Sequence, residues 1–252
     1  MSFAVSADAY DRFMGRYSSP LASRFADFAG VAAGQRALDV GCGPGALTAD
    51  LVRRLGAASV SAGDPSEPFV AAIEERHPEV IVRRAAAEHL PFPERTFDVS
   101  LAQLVVHFME DPVAGLREMA RVTRHDGVVA ACVWDHAEGQ GPLSLFWDAA
   151  RALNPDVRDE SGLAGARQGH LTDLMEQAGL GAIQEDTLSV EIAHRTFDEW
   201  WDPFTLGVGP AGGYVAGLDA DGRAELRERC RAELPSAPFV VTARAWAARG
   251  RA

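Results

Sequence analysis

The residues with the clearest chemical potential are two aspartates set around three glycines. The run Leu38-Asp39-Val40-Gly41-Cys42-Gly43-Pro44-Gly45-Ala46-Leu47-Thr48 joins a short apolar stretch to a helical pattern. Glycine accepts positive φ without a Cβ clash, so this spacing predicts a tight turn. The turn would let main-chain N–H groups approach a ligand at a helix N-terminus. Asp39 lies two residues before the first glycine, and Asp64 follows the turn by the interval of about 20 residues that a dinucleotide fingerprint asks for. Further on, His107 follows an apolar run, and Trp134-Asp135-His136 closes another.

On spacing alone a nicotinamide dinucleotide remains open, because Gly41, Gly43 and Ala46 satisfy G-x-G-x-x-G/A. Three local details point away from it. Asp39 would sit badly beside a pyrophosphate and well beside a cofactor bearing an ammonium and a sulfonium. Pro44 and Gly45 make the turn G-x-G-x-G. A further cluster, Ala85-Ala86-Ala87-Glu88-His89-Leu90-Pro91-Phe92 followed by Phe97-Asp98-Val99, has no use in a dinucleotide dehydrogenase.

These groups need a scaffold, and hydrophobic periodicity supplies one. Strands are predicted at 36–40, 59–63, 80–84, 97–102 and 127–134, with helices at 45–55, 66–76 and 112–123. The alternation predicts a parallel sheet with helices on both faces. Ser66 is a predicted helix cap, and Asp111-Pro112 reads as cap then first helical residue. Residues 6–30 read as two short helices parted near Ser18-Ser19-Pro20. Beyond Trp134 come helices at 143–153 and 170–179 and a strand at 182–192. An aromatic-rich insertion at 197–235, with a helix near 220–234, precedes a last strand at 239–248. The reading is one domain, 1–252: an N-terminal helical cap (1–30), a cofactor-binding core (35–135) and an inserted lid (197–235).

Composition excludes several classes. Lys and Arg number 24 against 36 acidic residues, a net charge of -12, which argues against nucleic acid or an anionic membrane as partner. No run approaches the ~18 apolar residues of a membrane span, and the first turns lack a signal-peptide core. Cys42, Cys132 and Cys230 form no disulfide framework or zinc pattern, so a reducing cytoplasm is expected. No histidine pair shows metal-ligand spacing, and no metal is expected.

The stretches Leu38–Thr48, Val60–Ser66, Ala85–Asp98, Ala102–Pro112 and Glu118–Gly127 resemble the class I S-adenosylmethionine-dependent methyltransferases, within the small-molecule group that includes quinone methyltransferases. Tyr10-Asp11-Arg12-Phe13-Met14-Gly15-Arg16-Tyr17 looks like the N-terminal segment of such enzymes. The resemblance covers about 35–135. It implies a Rossmann-like, doubly wound, mostly parallel seven-stranded sheet, its last strand antiparallel, with S-adenosylmethionine at the C-terminal strand ends.

By that resemblance Gly41, Gly43 and Gly45 border the methionine half, and Asp39, Cys42 and Gln103 also bind the cofactor. Asp64 takes the ribose hydroxyls, since a carboxylate accepts two charge-assisted hydrogen bonds from a vicinal diol. Many relatives carry an acidic residue where Ala86 stands; here Glu88 is the nearest carboxylate, and adenine would be held by the backbone around Ala87 and by apolar neighbours such as Pro65 or Leu90. Tyr10 and Arg16 would fold over the cofactor, Arg16 toward its carboxylate. His107 falls near the methyl group as base or substrate contact, and Asp135 or His136 is a second candidate base. Tyr17, Trp134, Trp200, Phe204 and Tyr214 would line an apolar acceptor pocket, or else simply pack the core. The expected activity is methyl transfer to an O, N or C nucleophile of a small apolar or aromatic molecule, by a monomer or homodimer. A cofactor-binding scaffold that transfers nothing is the alternative, and a nicotinamide oxidoreductase is the third.

Overall fold

The computed structural model describes residues 6–252. The chain opens with α1 (Ala7–Tyr10), a π-helical turn (Asp11–Gly15) and α2 (Arg16–Ala29). The expected break at Ser18-Ser19-Pro20 is absent, and Pro20 lies inside α2. Phe13, Tyr17, Leu21 and Phe25 are all buried along one stripe. At about 1.5–3 kcal/mol per buried side chain, that stripe outweighs the ~3 kcal/mol that an interior proline costs.

The alternating core follows as β1 (Ala37–Val40), α3 (Ala46–Leu55), β2 (Val60–Asp64), α4 (Glu67–Arg76), β3 (Ile81–Arg84), β4 (Phe97–Gln103), α5 (Pro112–Val122) and β5 (Thr123–Trp134). After it come α6 (Ser144–Leu153), α7 (His170–Gln177), β6 (Gly181–His194), α8 (Phe197–Trp201), α9 (Gly209–Gly217), α10 (Ala220–Glu233) and β7 (Phe239–Arg251). The seven strands form one sheet in the order β3-β2-β1-β4-β5-β7-β6. β7 runs antiparallel to both of its neighbours, and the remaining pairs are parallel. β5 starts ahead of the expected residue 127 because Thr123 pairs with Phe97 before the ladder shifts to Val99 opposite Val128.

Parallel strands covered on both faces read as unbroken apolar runs, and β1 and β4 are buried throughout. Alternate residues divide between two cores. Ala37, Ala130, Cys132 and Trp134 face the side packed by α2, α3 and the segment after β6. Leu38, Val40, Val129, Ala131 and Val133 face the side packed by α5 and α7. Asp111 caps α5 as expected, its side chain accepting from Ala114 N–H at 3.0 Å. The three cysteines are buried thiols. Among the described residues, no helix is long and apolar enough to cross a membrane.

Candidate active site

The glycine turn lies where the strand order changes direction, since β1 has β2 on one side and β4 on the other. Open α/β sheets bind ligands at such a point, beyond the C-terminal strand ends. Gly41 has φ of 68°, and a Cβ there would fall 2.5 Å from both Val105 methyls. Gly45 precedes α3 with φ of 104°, and its Cβ would meet Ile73 Cδ1 at 2.5 Å. A Cβ on Gly43 would meet nothing within 4 Å, so the middle of the turn faces open space.

Two buried carboxylates flank this turn. Asp39 accepts from Thr48 Oγ1 at 2.6 Å, and burial pushes its carboxyl up to about 7, with the Thr48 bond opposing and Asp64 adding to the rise. Asp64 accepts from Gly43 N–H at 2.9 Å and Ser66 N–H at 2.8 Å. Burial raises its carboxyl too, and those two backbone donors oppose the rise. Each aspartate thus holds one side of the turn through the first residues of the following helix or loop. Cys42 is buried between them, its thiol pushed well up by burial and by both carboxylates. Thr48, which fixes Asp39, has no signature in the sequence beyond its place in the first turn of α3.

The remaining sequence-predicted residues divide. Ala86 and Ala87 follow β3 beside the Asp64 segment, joined by Ala85 N–H to Asp64 carbonyl at 3.1 Å, and Pro65 is exposed there. Glu88, expected near adenine, instead accepts from the backbone N–H groups of Glu110 and Asp111 at 2.9 and 3.2 Å, ahead of α5. Gln103 ends β4 and donates to Ser18 carbonyl at 3.0 Å, leaving its buried Oε1 without a partner among the described residues. Tyr10 packs edge-on against Phe69 of α4, with ring centroids 5.5 Å apart.

Arg16 is drawn away from the turn. Its guanidinium bonds Glu199 and His194 Nδ1, at 3.3 and 2.9 Å. Guanidinium only donates, so His194 Nδ1 accepts, Nε2 carries the proton and donates to Tyr17 Oη at 3.1 Å. Tyr17 therefore packs the core between His194 and Trp134. Asp135 is likewise a structural group. Its fully buried carboxylate accepts from Arg244 Nε at 2.9 Å and Glu138 N–H at 3.0 Å, which leaves it poorly placed as a base.

Beyond the turn an open cleft is lined by Tyr10, Phe13, Trp134, Leu143, Val208, Gly209 and Pro210, among others. His107, His136 and Glu160 meet in its wall, with one ligand atom from each within 4.8 Å of the others. Burial holds His107 well below the usual imidazole range, and the neighbouring His136 adds to the depression. Burial pushes His136 down to about 4 against the pull of Asp135 and Asp159. Glu160 donates no pattern to the sequence, lying in the aperiodic loop after α6. Burial raises it to about 7, opposed by the Trp147 Nε1–H bond at 3.0 Å.

Trp200, Phe204 and Tyr214 do not line this cleft. Phe204 stacks on Phe146 at 4.6 Å and touches Phe13 and Trp200, while Tyr214 leans on Phe146 and Trp147. These aromatics form the interior of the segment between β6 and β7, and Val208, Gly209 and Pro210 present that segment to the cleft.

Comparison with known proteins agrees with this architecture. Residues 38–131 match the family model described as a methyltransferase domain. An uncharacterized methyltransferase of Schizosaccharomyces pombe is 36% identical over 119 residues, which are 39% of this chain and 42% of that protein. The aklanonic acid methyltransferase of Streptomyces sp. strain C5 is 30% identical over 137 residues, 51% of this chain and 61% of its own. The chain thus spans about half the length of the curated relatives it matches. Geranyl diphosphate C-methyltransferase of Streptomyces coelicolor, solved with Mg2+, geranyl diphosphate and S-adenosyl-L-homocysteine, superposes with a TM-score of 0.55 at 16% identity, over 94% of this chain and 80% of its own. Residues 38–131, over a third of the chain, thus match a methyltransferase-domain model and lie in a Rossmann-like sheet shared with that solved structure.

Proposed function

We propose that this protein transfers the methyl group of S-adenosylmethionine to an oxygen, nitrogen or carbon nucleophile of a small, largely apolar acceptor. The observation that carries the reading is the pair of buried carboxylates, Asp39 and Asp64, flanking a turn held open by glycines at the strand-order switch. The residues present fit this cofactor. Asp39 with the Gly41–Gly45 backbone would hold the amino-acid half. Asp64, whose carboxylate is already oriented by Gly43 and Ser66, would take the ribose diol. Ala86, Ala87 and Pro65 would bound the adenine. The cofactor supplies an activated methyl on a sulfonium, so the protein's share is orientation. Holding the two reactants in near-attack geometry is worth about 7–11 kcal/mol.

The cleft beside the turn supports an apolar acceptor, since Phe13, Met14, Leu104, Trp134, Leu143 and Val208 are among its lining residues. The names of relatives such as the aklanonic acid methyltransferase support the same substrate class. His107 and His136 present neutral imidazoles to an acceptor placed there, and the burial that keeps them neutral makes both weak bases. The segment 197–235 would act as the lid, contributing Val208–Pro210.

Titration calorimetry with S-adenosylhomocysteine and with NADH tests the cofactor. Binding of the first and none of the second is expected, and the reverse overturns the reading. Incubation with methyl-labelled cofactor and a panel of phenolic and polyketide-like acceptors tests transfer. Persistent absence of labelled product, with S-adenosylhomocysteine bound, would leave a binding scaffold.

A further inference from the structure

We propose that His107, His136 and Glu160 form a divalent transition-metal site in the wall of the cleft, with coordination positions left open toward the acceptor. The three residues come from three separate places in the chain: the turn after β4, the end of β5 and the loop after α6. Their ligand atoms already lie within 4.8 Å of one another. Bonds of about 2.0–2.2 Å to one ion bring ligand atoms to roughly 3–4 Å apart, a contraction that side-chain rotation can supply.

Two buried ring nitrogens, His107 Nδ1 and His136 Nε2, have no hydrogen-bond partner among the described residues. Leaving such a group unsatisfied is costly, and an ion shared between the rings would satisfy both. Trp147 Nε1–H holds the Glu160 carboxylate at 3.0 Å, the kind of outer contact that orients a metal ligand. Two imidazoles and one carboxylate suit Zn2+, Co2+, Fe2+ or Mn2+ better than Mg2+ or Ca2+, which prefer all-oxygen sets. Three protein ligands leave room for exogenous oxygen, as in open catalytic sites.

The cleft also needs such a charge. Among the described residues no Lys or Arg lines it, so an anionic acceptor oxygen would otherwise meet no positive charge there. Trp134, in the same wall, carries a buried indole N–H with no acceptor among the described residues. Resting on the methyl-transfer reading, this identifies the acceptor class as an acidic hydroxyl beside a second oxygen, such as an enolised 1,3-dicarbonyl or a catechol. On binding, the O–H bond breaks, its electron pair stays on oxygen and is shared with the ion, and the proton passes to solvent. The oxygen then takes the methyl as the sulfur–carbon bond breaks, that pair remaining on sulfur.

Titration of the EDTA-dialysed full chain with Co2+, read by visible d–d absorption, tests the site. Saturation at one ion per chain is expected, with displacement by Zn2+. Wild-type protein loaded with Co2+ should show two paramagnetically shifted, exchangeable imidazole N–H signals by proton NMR, a readout that needs no variant. Glu160→Gln and His136→Ala should weaken Co2+ at least tenfold, Trp147→Phe by about 10–100-fold as for other outer contacts, and His125→Ala, exposed at the start of β5, should leave it unchanged. Absence of the band in wild type, fewer than two shifted signals, or full affinity in folded Glu160→Gln overturns the site. S-adenosylhomocysteine calorimetry on the same samples separates the two readings. Cofactor bound without metal sinks the site alone, and metal bound without cofactor sinks methyl transfer alone.

Discussion

Replacing Asp135 with asparagine should destabilise the fold while leaving cofactor binding intact. Its carboxylate is fully buried, accepts two donors from Arg244 and one from Glu138 N–H, and raises the Arg244 guanidinium through that contact. Breaking a buried ion pair by removing one partner costs about 3–5 kcal/mol, because a charge is left uncompensated. Here the Arg244 side chain is 30% exposed and keeps Glu138 as a second partner, so water and Glu138 absorb part of that cost. We therefore expect a loss of about 2–3 kcal/mol, discounted for that exposure. For a chain of this length, that corresponds to a fall in melting temperature of about 4–12 °C. Calorimetric melting of wild type, Asp135→Asn, Arg244→Met and the double variant would measure both the loss and its coupling. S-adenosylhomocysteine affinity should stay within about twofold of wild type, since the Asp135 carboxylate bonds Arg244 and Glu138, both away from the turn. A melting temperature unchanged within two degrees, or coupling near zero, would refute the structural assignment and return Asp135 to the list of candidate bases.

Other variants test the turn and its neighbours. Asp64→Ala should weaken S-adenosylhomocysteine by about tenfold or more, the worth of one charge-assisted hydrogen bond, and unchanged affinity in calorimetry would remove it from the ribose site. Gly41→Ala places a methyl 2.5 Å from Val105 in a left-handed backbone, so cofactor affinity and melting temperature should fall together; a variant equal to wild type in both would contradict the packed turn. Glu88→Ala should cost about 1 kcal/mol in urea unfolding by freeing two backbone donors, with cofactor affinity unaltered; a tenfold affinity loss would restore Glu88 to the adenine contact. His194 is held down to about 4 by burial and by Arg16, with Glu199 opposing. The unfolded chain therefore binds the extra proton first, and the stabilisation present above about 6.5 is lost as pH falls toward 4. Urea unfolding across that window should show a shallower acid loss in His194→Gln than in wild type, and parallel curves would count against the neutral ring.

The sheet was legible because its information is local. Apolar runs, the glycine turn and the Asp111-Pro112 cap each dictate backbone within a few residues, and the strands fell within a few residues of their expected bounds. Pro20 misled because a local rule competed with a long-range one: the stripe from Phe13 to Phe25 is buried by elements far along the chain. Side-chain direction was the harder quantity. Arg16 and Glu88 have the right charge and position for cofactor contacts, yet Arg16 turns to Glu199 and His194, and Glu88 turns to the backbone before α5. Glu160 left no trace in the sequence, since its meeting with His107 and His136 depends on a loop without periodicity. The turn's identity could be read from order along the chain, whereas the far wall of the cleft is made by juxtaposition.

The position of β7 ties the order of folding to the shape of the cleft. It comes after β6 in the chain yet lies between β5 and β6, pairing along both. Until it is seated, β5 and β6 each present an unpaired edge, the kind of template that invites wrong partners. Seating it also closes the long loop 195–238, since Phe239 comes to rest opposite His194. Closing a loop of that length costs entropy that the ladder must offset. The same event brings Val208–Pro210 against the cleft. Sheet and cleft should therefore be completed together, and a fluctuation that peels β7 away would open the acceptor's wall as it frees the edge of β5.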